Sequence, residues 1–218
     1  IEIAINSHVG QSLEAITKYL KAEMNPEQKL LASQRIKNIS TKNWKTIRKD
    51  FIKSSKESIN GEILGSTELM VTIAQSISPT TVVVEEGLTS TMSLLKLLHL
   101  RDPQNFYGLA SGGIGFAMAG AVGISIALPH RPILAVVGDG SAMYSIQALW
   151  TSAHLNLPIT YLITNNSGYR ILKQRLKSFR NTENFIGMDL REPEIDFVKL
   201  ASSLGVEAIV SASPTEIS

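Results

Sequence analysis

The pattern of apolar and polar positions changes character along the chain. Ile1 to Ile5 alternates and predicts a strand closed by Asn6-Ser7-His8, and Ser12 stands where a cap would open a helix running to Leu20. From 25 to 60 the chain is polar. Ile36, Ile39, Ile47, Phe51, Ile52 and Ile59 recur there at loosely helical intervals, which predicts a linker holding one or two surface helices. Beyond 61 the pattern tightens. Helices are expected over 68–77 (ended by Pro79), 91–100, the Gly- and Ala-rich 111–128, 145–156 and 196–204. Between them lie Thr81–Glu85, Ile133–Val137, Ile159–Thr164 and Val206–Val210, apolar almost throughout and without the alternation of a half-exposed strand. Such strands, alternating with helices, predict an α/β fold: a doubly wound parallel sheet with helices on both faces. The first strand has no element before it. At the other end, Ser213-Pro214-Thr215-Glu216 places Ser, Pro and Glu where a helix begins, two residues before the sequence ends. Both ends thus carry the expectation of a piece of a longer protein.

Length and composition narrow this reading. At 218 residues the chain is long enough for one full domain and something extra. With 44% hydrophobic and 18% charged residues it is too apolar for a disordered chain. No apolar run approaches the ~20 residues that span a bilayer. The N-terminal residues have neither the basic region nor the apolar core of a signal peptide. Cysteine is absent, which excludes disulfides, thiolate metal sites and cysteine nucleophiles and agrees with a cytoplasmic location. The net charge of +2 conceals an asymmetry: residues 29–56 carry nine Lys and Arg against the single acid Asp50, on an otherwise acidic chain. No aromatic interleaving or nucleic-acid-binding motif accompanies these cations, so they read as a solvated helical face, with neither nucleic acid nor membrane as partner.

Candidate chemistry gathers at two strand ends, which is where ligands bind in such sheets. The strand 133–137 runs into Gly138-Asp139-Gly140-Ser141, and the strand 159–164 into Asn165-Asn166-Ser167-Gly168. One helix lies between, so the two form a βαβ unit with both strand ends at the same edge of the sheet. Asp139 offers a carboxylate, Asn166 an amide carbonyl, and the turns further carbonyls. These are all oxygen ligands, which suit Mg²⁺ or Ca²⁺. Two side chains are too few for octahedral Mg²⁺, which completes its shell with phosphate oxygens and water. Gly138 and Gly140 let backbone amides approach an anion, and Ser141 stands at the start of the next helix, where a phosphate is favoured. The site reads as Mg²⁺ with a diphosphate. Gly-Asp-Gly and Asn-Asn are also common turn residues, and only their combination across a βαβ unit is specific. Gly113-Ile114-Gly115-Phe116-Ala117-Met118 has Met where a dinucleotide fingerprint needs Gly or Ala, and there is no Walker A loop.

Gly138-Asp139-Gly140-Ser141 through Asn165-Asn166 resembles the thiamine diphosphate motif of the decarboxylase and acetohydroxyacid synthase superfamily. Ala110-Ser111-Gly112-Gly113-Ile114-Gly115-Phe116-Ala117, followed by Gly138 to Trp150, is most similar to benzoylformate decarboxylase and its relatives. The resemblance implies a thiamine diphosphate domain over 61–218, the end of a central domain over 1–24 and an interdomain linker over 25–60. It implies Asp139 and Asn166 as side-chain Mg²⁺ ligands and Gly168 as a carbonyl ligand. Gly140, Ser141 and Thr89 would contact the diphosphate, with Gly138 and Gly113 beside the cofactor. Ile114 would prop the coenzyme, Gly112 would meet its aminopyrimidine, and Tyr144 and Tyr169 would line the pocket, with core packing as the competing role for both tyrosines. Leu88 stands where close relatives carry a hydroxyl residue, which leaves Thr89 as the phosphate donor.

The chemistry in this family belongs to the cofactor, acting on a 2-keto acid. The activating glutamate sits in an N-terminal domain of a partner subunit. The resemblance therefore implies a homo-oligomer with the cofactor at the subunit interface, no catalytic residue within these 218 positions, and an isolated chain that is catalytically silent. Other readings remain open: an acetolactate-synthase-like enzyme, a noncatalytic oligomerisation or regulatory domain, and a response-regulator-like module in which Asp139 accepts a phosphoryl group. His8, His99, His130 and His154 show no metal-ligand spacing, and Arg170, Lys173, Arg175, Lys177 and Arg180 read as a solvated helix face.

Overall fold

A computed structural model describes residues 4–57 and 64–211. The chain divides into two compact units, Ile1–Phe51 and Ile52–Ser218.

The first unit is helical. Helix α1 (Val9–Glu23) is capped by His8, whose ring accepts the Gln11 N–H, while Ser12 sits inside the helix. The cap expected at Ser12 thus falls four residues earlier. Helix α2 (Pro26–Ser40) starts with Pro26 behind Asn25, and Asn25 and Gln28 exchange side-chain and backbone hydrogen bonds, both 2.9 Å, as a capping box. Neither helix buries a residue. Helix α3 (Trp44–Glu57) runs across the boundary into the second unit. The surface helices expected over 25–60 are present as α2 and α3. Of the strand expected at Ile1–Ile5, residues 1–3 lie outside the described residues, and Ala4 to Asn6 form no strand.

The second unit carries the sheet. In order come α4 (Ser66–Ser76), β1 (Val82–Glu86), α5 (Leu94–Leu97), β2 (Phe106–Gly108), α6 (Phe116–Ala127), β3 (Ile133–Gly138), α7 (Asp139–Ala142), α8 (Ala148–His154), β4 (Ile159–Thr164), α9 (Arg170–Arg180) and α10 (Phe197–Ser203). The strands are all parallel, in the order β2-β1-β3-β4. Val82, Val84, Ala135 and Val137 pack against Ala117, Met118 and Ala121 of α6. Val83 and Val136 point the other way and are equally buried, so both faces of the central strands are covered. This double coverage is why the strands show no polar alternation. Among the described residues no helix is long and apolar enough to cross a membrane.

Several expected elements are shorter or absent. The helix expected over 91–100 is one turn, α5. The one expected over 111–128 starts only at Phe116, because Gly112 and Gly115 take positive φ angles of 76° and 99°, which no right-handed helix accommodates. The helix expected over 145–156 is reduced to α8, preceded by the separate turn α7. Strand β2, unanticipated, pairs with β1 through three residues. Val206–Val210 joins no ladder, although Val206 and Ala208 pack against the core. The helix start at 213–216 lies outside the described residues.

Candidate functional site

The pairing of β3 with β4 sets Gly138 opposite Thr164, so Asp139 and Asn165 leave the sheet side by side. Asp139 opens α7 and is 2% exposed. Its Oδ2 accepts the Gly168 N–H at 3.0 Å, joining the two turns directly. Its Oδ1 has no hydrogen bond among the described residues.

The β4 turn is held from several sides. Asn165 Oδ1 accepts the Ser167 N–H at 3.0 Å. Ser167 takes φ 55°, its carbonyl accepts the Leu190 N–H, and the Tyr169 N–H donates to the Met188 carbonyl, both at 2.9 Å. A Cβ on Gly168 would come within 2.6 Å of that same Met188 oxygen, so the close backbone approach requires glycine. The Gly168 carbonyl accepts the Arg170 N–H at 3.0 Å and retains a lone pair. Asn166 is exposed, and its side chain makes no hydrogen bond among the described residues. The ring of Tyr169 lies over Gly140, where a Cβ would meet Cε1 at 2.5 Å. Burial raises the Tyr169 phenol above its ordinary value, and Tyr144 and Asp139 push it the same way.

Two further loops rise at the same edge. β1 pairs Glu86 with Val137, so the segment after β1 emerges beside the one after β3. It is latched by Glu85, whose Oε1 accepts the Gly87 N–H at 2.9 Å and a short hydrogen bond from Thr91 Oγ1. Thr89 is half-buried within this loop, and its hydroxyl makes no hydrogen bond among the described residues. In the loop before α6, Gly112 and Gly113 are exposed and Ile114 is half-buried. The Gly115 carbonyl accepts Ser145 Oγ at 2.7 Å, and a Cβ on Gly115 would stand 2.8 Å from Tyr144 Cβ.

Thus Asp139, Gly140, Gly168 and Tyr169 meet directly, and Tyr144 touches both Tyr169 and Gly115. Gly138 and Ser141 follow from the chain. Glu85, Glu86 and Ser145 escaped the sequence reading. The only signal available for the two glutamates was a pair of acids closing an apolar strand.

The donors left open are Asp139 Oδ1, Asn166 Oδ1 and a lone pair of the Gly168 carbonyl, all hard oxygens suited to Mg²⁺ or Ca²⁺. Among the described residues no three His, Asp or Glu side chains cluster as a metal site. A divalent cation here would therefore meet a single carboxylate and keep excess positive charge. That charge and the vacant coordination positions both favour an anionic ligand with phosphate oxygens. The residues present fit Mg²⁺ with a diphosphate.

Such a site, at the carboxyl edge of a parallel α/β sheet, defines a domain built to hold a phosphorylated coenzyme. Residues 89–218 match the family described as thiamine pyrophosphate enzyme, C-terminal TPP binding domain, and the chain belongs to that family. It is 32% identical over 134 residues to benzoylformate decarboxylase of Pseudomonas aeruginosa, covering 62% of this chain and 25% of the relative. It is 34% identical over 113 residues to an acetolactate synthase large subunit of Parasynechococcus marenigrum, covering 51% and 18% respectively. Among solved structures it resembles the thiamine diphosphate-dependent 4-hydroxybenzoylformate decarboxylase of Rhodococcus jostii RHA1, with a TM-score of 0.67, 32% identity and coverage of 72% of this chain and 29% of that one. Benzoylformate decarboxylase from Polynucleobacter necessarius superposes with a TM-score of 0.64 at 27% identity, covering 69% and 28%. The chain spans a quarter or less of the length of these two curated relatives.

Proposed function

We propose that this chain binds thiamine diphosphate with Mg²⁺ as the cofactor half of a 2-keto-acid decarboxylase or carboligase of the benzoylformate decarboxylase type. Asp139 and Asn166 hold the cation by their side chains and Gly168 by its carbonyl. Gly140, Ser141 and Thr89 contact the diphosphate, with Gly138 beside them. Ile114, Gly112 and Gly113 face the organic half of the coenzyme, and Tyr144 and Tyr169 line the cavity. When bound, the coenzyme supplies the electron sink for decarboxylation of a 2-keto acid. The protein residues orient it and exclude water. Residues 1–24 belong to a preceding central domain, 25–60 to a linker and 61–218 to the cofactor domain. A further domain from a partner subunit completes catalysis, so the chain alone is inactive and works within a homo-oligomer.

The observation that carries this reading is the buried Asp139 bonded to the Gly168 N–H, with one carboxylate oxygen and the Asn166 amide left without a protein partner. Calorimetric titration with thiamine diphosphate, with Mg²⁺ and then with excess EDTA, tests it. Wild-type chain binds only with the metal, and Asp139→Ala does not bind. Affinity indifferent to EDTA or to the substitution would overturn the assignment. Turnover of benzoylformate against condensation of pyruvate, measured in the complete oligomer, separates decarboxylase from acetolactate-synthase-like carboligase.

A further inference from the structure

We infer that Glu86 is a positioning residue of the coenzyme site: its buried carboxylate ties the loop that carries Ile114 to the end of β1 and so sets where that side chain meets the organic half of the coenzyme. The inference rests on the cofactor reading above and goes beyond it, because neither the motif nor the donor set includes Glu86.

Glu86 is the last residue of β1 and is fully buried. Both carboxylate oxygens are occupied: Oε1 accepts the Gly115 N–H and Oε2 the Ala117 N–H, each at 2.6 Å. These donors are 29 and 31 residues away in sequence, so the bond joins separate elements. The first turn of a helix leaves four N–H groups without partners, and a side chain at the N-cap usually takes one of them. Here the N-cap is Gly115, at φ 99°, which has no side chain to offer. A local Ser or Asp would cap α6 without burying a carboxylate inside the fold, an arrangement with a large desolvation cost. The remote cap does something that a local one does not: it fixes the loop to the sheet. The other side of the same peptide is fixed too, by Ser145 Oγ on the Gly115 carbonyl. Ile114, immediately before, is thus set by both β1 and the segment that follows α7.

A second consequence concerns the diphosphate. The Gly115 and Ala117 N–H groups at the start of α6 already face an anion, the protein's own, so these two donors are not offered to a phosphate. The diphosphate is left to Gly140, Ser141 and Thr89. Loosening Glu86 then affects the part of the coenzyme that Ile114 meets and spares the part that these residues meet.

The test uses the full chain with Mg²⁺ and two probes, thiamine diphosphate and inorganic diphosphate. Glu86→Gln keeps the side chain's shape and one acceptor but sets an amide NH₂ against a backbone N–H. It is expected to weaken thiamine diphosphate about tenfold, as the loss of a charged hydrogen bond does. Inorganic diphosphate affinity should stay within about twofold of wild type, since its contacts are untouched. Hydrogen exchange at Gly115 and Ala117 should speed up while β3 stays protected. Equal losses for both probes would point to a merely structural role and overturn the inference. So would wild-type thiamine diphosphate affinity in Glu86→Gln, or unchanged exchange at the two amides. Wild-type chain that binds neither probe overturns the cofactor reading, and this inference with it, which is a distinct result.

Discussion

The two edges of the sheet treat polar groups in opposite ways. At the amino edge, where β1, β2 and β3 begin, the polar groups are paired with one another. Asn105 Nδ2 donates to the carbonyls of Pro79 and Thr81 at 3.0 and 3.1 Å, and its Oδ1 accepts the Asp102 N–H at 3.1 Å. Arg131 donates to the Thr80 carbonyl at 2.9 Å and to Asp102 Oδ2 at 2.7 Å. At the carboxyl edge Asp139 Oδ1, the Asn166 amide and the Thr89 hydroxyl have no hydrogen bond among the described residues. The amino edge is closed as a staple between strands, whereas the carboxyl edge, where Glu85 and Glu86 are paired, still leaves the Asp139, Asn166 and Thr89 oxygens open. The open groups lie at the edge of the sheet where ligands bind in parallel α/β folds, and Asn166 and Thr89 are solvent-accessible there.

The sharpest test of this contrast is a pair of substitutions read on two axes. Asp139→Ala is expected to cost about a hundredfold or more in Mg²⁺-dependent coenzyme affinity, since disturbing even the groups behind a metal ligand costs 10- to 100-fold. Its thermal midpoint should hold or rise, because a poorly compensated buried carboxylate is removed. Asn105→Ala should do the reverse: about 3 kcal/mol of stability lost with its three hydrogen bonds, and coenzyme affinity unchanged when measured well below the unfolding transition. If Asn105→Ala weakened the coenzyme, or Asp139→Ala unfolded the chain and spared binding, the division of labour between the edges would not hold. A smaller effect belongs to Gly168→Ala. Its Cβ must displace the Met188 carbonyl, which lies on the partner segment of the turn, at a cost of about 2 kcal/mol. Urea unfolding would measure it, and coenzyme affinity should fall with it, since Gly168 belongs to the open edge.

How much of this was legible in the sequence follows the range of the interactions. The continuous apolar runs of β1, β3 and β4 were legible because double burial leaves no polar face. The meeting of Asp139 with the Asn166 turn was legible because a single βαβ unit fixes both strand ends. Strand β2 was not: three half-buried residues, Phe106 to Gly108, have no periodicity to detect. The Gly- and Ala-rich run from Ser111 looked helical throughout, and what breaks it is the φ of Gly115 and the reach of Glu86 from 29 residues away. Neither is a local property. The run Val206–Val210 has strand composition, but no neighbouring strand offers it a ladder among the described residues. Composition describes the segment, and pairing depends on the rest of the fold.

The smallest expected effect lies at the closed edge and has a pH signature. Asp102 is held below the ordinary carboxylate range first by the Gln104 N–H that it accepts at 2.9 Å and then by the Arg131 guanidinium. A carboxyl whose folded value lies below its unfolded one stabilises the fold at all pH above the unfolded value, and that stabilisation disappears as pH falls through the folded value. Asp102→Asn removes the charge and keeps one acceptor, for the Gln104 N–H, while its NH₂ faces the Arg131 guanidinium. The stability gap between wild type and variant should therefore be constant from pH 7 to about 5, narrow below about pH 4, and close in stronger acid. Salt should shrink the same gap at neutral pH, because the pair is partly exposed. Urea midpoints of both proteins across that range, in low and high salt, give the measurement. A gap that survives unchanged to pH 3 would mean that Asp102 acts there by shape and hydrogen bonding alone, and the amino edge would then be held without any contribution from charge.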